Sequence, residues 1–129
     1  MKIAQTYRNA FAQMLCDDLA GGKIRYYSDP MPATPETALS GQTLIAELTC
    51  ANPAGTVTGG ALVFNPINED NSADATGAAT WARFLKADGS TVVLDATVGV
   101  GLDLDGDGGT TAGQQVVIDG LVLTVGGGA

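Results

Sequence analysis

The sequence predicts an all-β protein, mainly an antiparallel β-sandwich, with one N-terminal α-helix. Three features predict it: a β-hairpin near the middle of the chain, further short apolar segments separated by turn residues, and one amphipathic segment at the start. The 129 residues include 18 glycines, which suits a fold with many turns. A jelly roll is one arrangement that such a sandwich could take. We expect a single domain over 1–129, with the helix and its cap in 1–22, the sandwich in 23–125 and a flexible tail in 126–129.

The hairpin in residues 81–99 is the clearest of these signals. Asp88-Gly89 is typical of a two-residue turn, because both residues tolerate positive φ angles. After the turn, apolar residues alternate with others, which predicts a strand with one face on a core. The residues expected on that face are Val92, Leu94, Ala96, Val98, Val100 and Leu102. On the preceding strand we expect Trp81 to pack in the core or across strands, and Arg83 to pair with an acid or reach a neighbouring subunit.

The helix is predicted over residues 3–20. Its apolar residues recur every three or four positions and form one stripe: Ile3, Tyr7, Ala10, Phe11, Met14, Leu15 and Leu19. Gly21-Gly22 follows and supplies a residue for a left-handed cap. The stripe packs either on the protein's own sheet, which we favour, or on a neighbouring subunit.

Turn residues and alternation place the other strands and loops. Further strands are predicted at 23–28, 43–50, 56–64 and 115–125. Gly59-Gly60 lies inside the third of these and predicts a β-bulge. Prolines make 29–35 an extended surface connection, and 66–77 is a polar surface loop.

The charge of the chain narrows the classes of partner. The formal net charge is −8, and no basic residue follows Lys86. Nucleic acids and anionic membranes bind proteins through basic groups, so we expect neither as a partner. Residues 1–19 carry many polar side chains, so we expect no secretion signal there and no membrane span. The protein should therefore be made in the cytoplasm and kept or assembled there.

The residue types present offer little for catalysis. The chain has no histidine, which excludes a Ser-His-Asp triad, a Cys-His pair and most zinc sites. Cys16 and Cys50 are expected to be two separate reduced thiols, with a single disulfide as the alternative. We therefore expect no enzyme activity and no cofactor.

One acidic loop resembles part of a calcium site. Asp103, Asp105 and Asp107 alternate before a glycine, as in the first half of an EF-hand loop. The match fails at the twelfth position, where Gln114 cannot supply a bidentate carboxylate, and the flanking segments are predicted strands. An acidic, solvated turn is the interpretation we favour, with a calcium site as the alternative.

A set of segments spread over nearly the whole chain forms a recognisable pattern. It begins with a helix that ends in glycines and a Lys-Ile-Arg-Tyr-Tyr strand at 23–27, and the later segments are 32–35, 41–48, 77–84, the Asp-Gly hairpin with 98–99, 103–104 and 112–116. In this pattern the chain resembles a family of small virion structural proteins encoded by tailed bacteriophages and prophages.

The resemblance implies a non-enzymatic part of the virion, located in the particle after assembly in the host cytoplasm. Our first hypothesis is a capsid decoration, or cement, protein that contacts the major capsid protein and copies of itself. A tail or head–tail component is an alternative, and a calcium- or carbohydrate-binding module is another. The side chains expected at partner contacts are Tyr7, Phe11, Pro32, Pro35, Asn68, Asp70 and Arg83.

Overall fold

The computed structural model describes residues 2–68, 77–98, 109–110 and 122–124. This part of the chain is mainly β with one N-terminal helix, which confirms the predicted class at that level. Helix α1 spans Gln5–Asp18. The strands are β1 Lys23–Tyr27, β2 Leu44–Thr49, β3 Gly55–Thr58, β4 Ala61–Phe64, β5 Gly77–Ala78, β6 Trp81–Leu85, β7 Val92–Thr97, β8 Gly109–Thr110 and β9 Val122–Thr124.

The strands form antiparallel sheets. The largest has four strands in the order β2-β1-β6-β7, a second has the order β3-β4-β9, and β5 pairs with β8. Of the final strand predicted at 115–125, the described part is β9, which pairs with β4. The predicted tail at 126–129 lies outside the described residues.

The core joins the helix to both larger sheets. Phe84 of β6 is fully buried and meets Phe64 of β4 edge-on, with 6.4 Å between ring centroids. Ile24, Leu48 and Leu62 are also fully buried in the same apolar cluster, as is Leu19, just after α1. The two sheets and the helix therefore share one body of apolar contacts.

Helix α1 confirms the predicted helix with shorter bounds. It ends at Asp18, and Gly21 takes the left-handed conformation expected of a terminating glycine, with φ of 67°. Gly22 serves a different purpose, because a Cβ there would lie 2.3 Å from the carbonyl oxygen of Leu85. Only glycine lets the chain pass this close to β6 on its way into β1.

The bulge predicted at Gly59-Gly60 is wrong. These residues form the loop of a hairpin and divide the predicted strand into β3 and β4, with Thr58 opposite Ala61. Their φ angles are 59° and 78°. Positive φ at both central positions is the requirement of a type I′ turn, whose twist matches that of the flanking strands.

The turn between β6 and β7 is longer than predicted. Lys86 N–H donates to the carbonyl of Thr91 at 2.9 Å, so the loop holds four residues rather than two. The Asp88 carboxylate organises this loop by accepting from the Thr91 hydroxyl and N–H and from the Ser90 N–H. These hydrogen bonds, the Thr91 hydroxyl's first, lower the pKa of Asp88. Of the two turn residues, only Gly89 has a positive φ.

The single core face predicted for β7 is wrong at its first residue. A register shift lies between Phe84 and Leu85 of β6, so Phe84 faces Leu94 while Leu85 faces Val92. Val92 therefore leaves the face shared by Leu94 and Ala96, because a bulge changes the alternation of side chains. The residues Val100 and Leu102, predicted on the same face, lie outside the described residues.

Candidate functional site

One side of α1 presents large apolar side chains to solvent. Tyr7 is 66% exposed, Phe11 46% and Met14 55%. Residues spaced by four and then three positions lie on one side of a helix. We call these three residues the α1 stripe. Single exposed apolar residues are ordinary, whereas neighbouring ones on one side of a helix form a candidate interaction surface.

The opposite side of α1 is buried by small residues. Ala12 is fully buried and Cys16 is 3% exposed. Cys16 Sγ donates to the carbonyl of Gly55 at 3.4 Å, so the helix packs directly on the start of β3. The expected single stripe on the protein's own sheet is therefore wrong in part: Leu19 is buried and Leu15 half-buried, whereas the α1 stripe faces outward.

Polar contacts also fix α1 in place. Asn9 Oδ1 accepts from the N–H of Gly60 at 2.7 Å, which ties the helix to the β3–β4 turn. Arg8 Nε donates to the carbonyl of Ile3 at 3.0 Å. The α1 stripe is thus held on a helix whose position is already determined, which lowers the entropic cost of binding a partner.

A second group of polar residues lies on the outer face of the four-stranded sheet. The register places Glu47, Arg25, Arg83 and Asp95 in one row across all four strands. Arg25 Nε is 2.6 Å from Glu47 Oε2. Arg83 donates two hydrogen bonds to the Asp95 carboxylate, from Nε to Oδ1 at 2.8 Å and from Nη2 to Oδ2 at 3.0 Å. The two ion pairs differ in burial: the Arg83 and Asp95 side chains are 5% and 4% exposed, and those of Arg25 and Glu47 27% and 34%.

Arg83 is an internal residue and not an exposed contact. Its Nη1 donates to the carbonyl of Thr37 at 3.0 Å, and its guanidinium lies 5.2 Å from the centre of the Trp81 ring. Trp81 is fully buried, and its ring stacks on that of Tyr27 with 4.8 Å between centroids. This confirms the prediction that Trp81 packs in the core or across strands. The hydrogen bond to Asp95 raises the pKa of Arg83, against burial, which lowers it. The alternative in which Arg83 pairs with an acid is confirmed, and its burial removes it from the partner contacts.

The connection between β1 and β2 covers part of this face. Its residues 35–38 line a cavity of about 430 Å³ together with Arg83, Ser90 and Val92. Pro32 and Pro35 are both half-buried, so they are only in part available to a partner. Because Asp95 already satisfies the charge of Arg83, the cavity does not present a free cation to an anionic ligand.

Of the remaining predicted site residues, Asn68 lies beside the end of β2 and the others fall outside the described part. Asn68 is exposed, and its backbone exchanges hydrogen bonds of 2.8 and 3.1 Å with Thr49 at the end of β2. Asp70 and the acidic loop with Asp103, Asp105 and Asp107 lie outside the described residues. Among the residues that are described, no three acidic or cysteine side chains are grouped as a metal site would require.

The two cysteines are buried rather than activated. Cys16 and Cys50 are free thiols at 3% and 2% exposure. Burial raises the pKa of Cys50 to about 11, although the charge of Lys23 lowers it in part. Burial likewise raises the pKa of Tyr26 to about 12. Thiolate is the reactive form of cysteine, so the shift makes Cys50 unreactive near neutral pH.

We expect the Cys50 thiol to titrate near pH 11 and to make the fold sensitive to alkali. Its folded pKa lies above the ordinary 9.0, so its contribution to stability is complete below pH 9 and is lost as the pH rises through 11. Thiolate absorbance near 240 nm, taken as the difference between the wild type and Cys50→Ala, measures the titration. A midpoint near 9 in the folded protein would contradict the burial of this thiol.

Comparisons with known proteins return no relative: no protein-family model, no curated protein and no solved structure matches the chain. Within the described residues, no helix has the length and apolar character needed to cross a membrane.

Proposed function

We propose that the chain is a non-enzymatic structural protein of a tailed-bacteriophage virion, a capsid decoration protein that stabilises the major capsid lattice. The observation that carries the proposal is the α1 stripe, which presents Tyr7, Phe11 and Met14 to solvent. The resemblance of the sequence to phage virion proteins is the reason for proposing a virion as the place where the protein acts. The stripe supplies a surface with which such a protein would bind its neighbours.

The physical properties of α1 suit assembly. Aromatic and methionine side chains are enriched in the cores of protein interfaces. Here they stand on a helix anchored by Asn9 and Cys16, so binding does not require the helix to fold first. The proposed partners are the major capsid protein and further copies of this chain, and the proposed location is the virion.

The proposal extends to the architecture. The four-stranded and three-stranded sheets would be the two layers of a β-sandwich, and the strands would be connected as in a jelly roll. The contact between Phe84 of one sheet and Phe64 of the other supports two layers that share a core.

The decisive measurement is the number of copies of this chain per major capsid subunit, obtained by quantitative mass spectrometry of purified particles. A ratio near one, or a simple fraction of it, supports a decoration protein. A handful of copies per particle would instead favour a tail or head–tail component. Absence from the particles would overturn every virion assignment.

The role of the α1 stripe is tested by two matched variants added to particles that lack the protein. We expect Phe11→Gln to lower the bound amount at least tenfold, because it removes an exposed apolar ring at the centre of the stripe. Leu39→Gln removes an apolar side chain of similar exposure, 42%, in the connection before β2, and is expected to bind as the wild type does. Equal binding by both variants would contradict the role of the stripe.

A further inference from the structure

The α1 stripe continues into a negative charge. Asp18 follows Met14 by four residues and therefore lies in line with the stripe. Its side chain is 39% exposed, and its Oδ1 forms an ion pair with Lys86 Nζ at 3.6 Å. Asp17 adjoins it, and the last turn of α1 carries no basic residue. The helix carbonyls are also partly negative at this end, so Asp18 lies where its own helix disfavours it.

The other end of α1 has the opposite character. The helix begins after Ala4, which makes no side-chain capping bond, and its first turn contains no acidic residue. Free N–H groups make a helix N-terminus partly positive. The exposed Lys2 adds a further positive charge nearby. Lys86 offsets one of the two carboxylates at the C-terminal end, which leaves a net negative charge there that the partly positive N-terminal end of a second copy would balance.

We propose that two copies of this chain pair through α1 in antiparallel orientation, stripe against stripe. Tyr7 of one copy then faces Met14 of the second copy, and Phe11 lies beside the two-fold axis. The same register brings Asp18 to the uncapped N-terminal end of α1 in the second copy. Because the pairing is two-fold, each such contact occurs twice.

Charge favours antiparallel over parallel pairing of the two α1 helices. A parallel pair would place Asp17 and Asp18 of both copies together, and like charges at close range repel. An antiparallel pair places each acidic end against a basic end. A second copy also presents the matching apolar surface, since an isologous interface uses the same patch on both copies.

The size of the stripe sets the strength of the pairing. Three partly exposed side chains present on the order of a few hundred Å², since an aromatic residue buries at most roughly 150–250 Å². Stable interfaces bury about 800 Å² on each partner. We therefore expect weak pairing in dilute solution and stronger pairing where copies are concentrated, as on a particle. The inference rests in this respect on the proposed function, because it names the partner of the same α1 surface.

Cysteine cross-linking tests the orientation. Cys16 and Cys50 are buried, so the otherwise unmodified wild type gives the background. A mixture of size-tagged Tyr7→Cys and Met14→Cys chains is expected to form the mixed disulfide at least tenfold above either variant alone. In the antiparallel pair, identical positions at either end of the stripe are roughly 10 Å apart along the axis, which is beyond the reach of a disulfide. Phe11→Cys is expected to cross-link with itself.

A charge variant tests the end contacts. Asp18→Asn is expected to weaken association at least threefold in sedimentation equilibrium and to reduce its salt dependence. Asp29→Asn removes the same unit charge from an exposed site outside α1, where φ is 67° and asparagine is well tolerated. It is expected to associate as the wild type does. Equal effects of the two variants would overturn the end-to-end charge contacts.

The outcomes separate this inference from the proposed function. Self-cross-linking at positions 7 and 14 as well as 11, with no excess of the mixed product, would show a parallel pair and overturn the inference. A chain that stays monomeric at millimolar concentration and gives no cross-link also overturns it. If Phe11→Gln still abolishes particle binding in that case, the stripe docks on the capsid protein and the proposed function stands. If particle binding is absent as well, both fail.

Discussion

Replacement of Arg83 by methionine is expected to destabilise the protein by about 3–5 kcal/mol, the cost of leaving one member of a buried ion pair without its partner. The Asp95 side chain is only 4% exposed, and each of its carboxylate oxygens accepts a hydrogen bond from Arg83. Methionine preserves much of the volume but provides no donor, so the carboxylate would remain buried without compensation. A domain of ordinary stability has about 5–15 kcal/mol in total, so the loss is a large part of it.

The neighbouring ion pair provides the control. Arg25 lies directly opposite Arg83 in the same sheet and binds Glu47 at 2.6 Å, but both side chains are about a third exposed. Arg25→Met is expected to cost less than about 1 kcal/mol, because water screens the pair and solvates the glutamate that is left. Its removal also relieves the repulsion between two arginines on adjacent strands. Urea denaturation of both variants under one set of conditions gives the comparison.

The double variant Arg83→Met/Asp95→Leu separates the two parts of the effect. If the cost of Arg83→Met is that of an uncompensated carboxylate, removal of the carboxylate should recover most of the lost stability. The part that remains lost comes from the hydrogen bond from Arg83 to Thr37, which holds the connection before β2, and from the contact of the guanidinium with the Trp81 ring. A cost for Arg83→Met no greater than that for Arg25→Met would contradict the burial of this pair.

The sequence indicated the β6–β7 hairpin but not its register. Alternation and the Asp-Gly pair locate the turn. The number of loop residues depends on the three hydrogen bonds that the Asp88 carboxylate accepts, but this loop keeps Leu85 opposite Val92, the same register that a two-residue turn would give. The register shift between Phe84 and Leu85 places Arg83 opposite Asp95 instead of Leu94. Their pairing could have been suspected, because a basic and an acidic residue stand at similar distances from the turn.

The helix shows a different limit of sequence reasoning. Spacing identifies α1 correctly, but ranking its residues by hydrophobicity places Tyr7, Phe11 and Met14 inside. The buried side instead carries Ala12 and Cys16, because a helix can approach a strand closely only through small side chains. Tyr7 and Phe11 were expected at a partner contact, and they are exposed. Small residues opposite large ones on α1 were the signal that could have indicated this orientation.

Replacement of Phe84 by alanine is expected to cost about 3–5 kcal/mol, the range for removal of a fully buried phenylalanine ring. Phe84 belongs to the four-stranded sheet and touches Phe64 of the other larger sheet. The cavity left by alanine would therefore open between the two sheets. Phe84→Leu keeps most of the volume and is expected to cost roughly 1–1.5 kcal/mol.

Phe11→Ala is the matched control, because it deletes the same atoms from a ring that is 46% exposed on α1. In dilute protein its effect on the free energy of unfolding is expected to stay within about 0.5 kcal/mol. If the two sheets unfold as one unit, Phe84→Ala lowers the free energy of unfolding far more than Phe11→Ala does, and each variant unfolds in a single cooperative transition. A small cost for Phe84→Ala, or two separate transitions, would instead mean that each sheet holds its own core. The Phe64–Phe84 contact would then no longer support the sandwich. The proposed role of the α1 stripe would be unaffected, because Phe11 is a surface residue and takes no part in the core around Phe84.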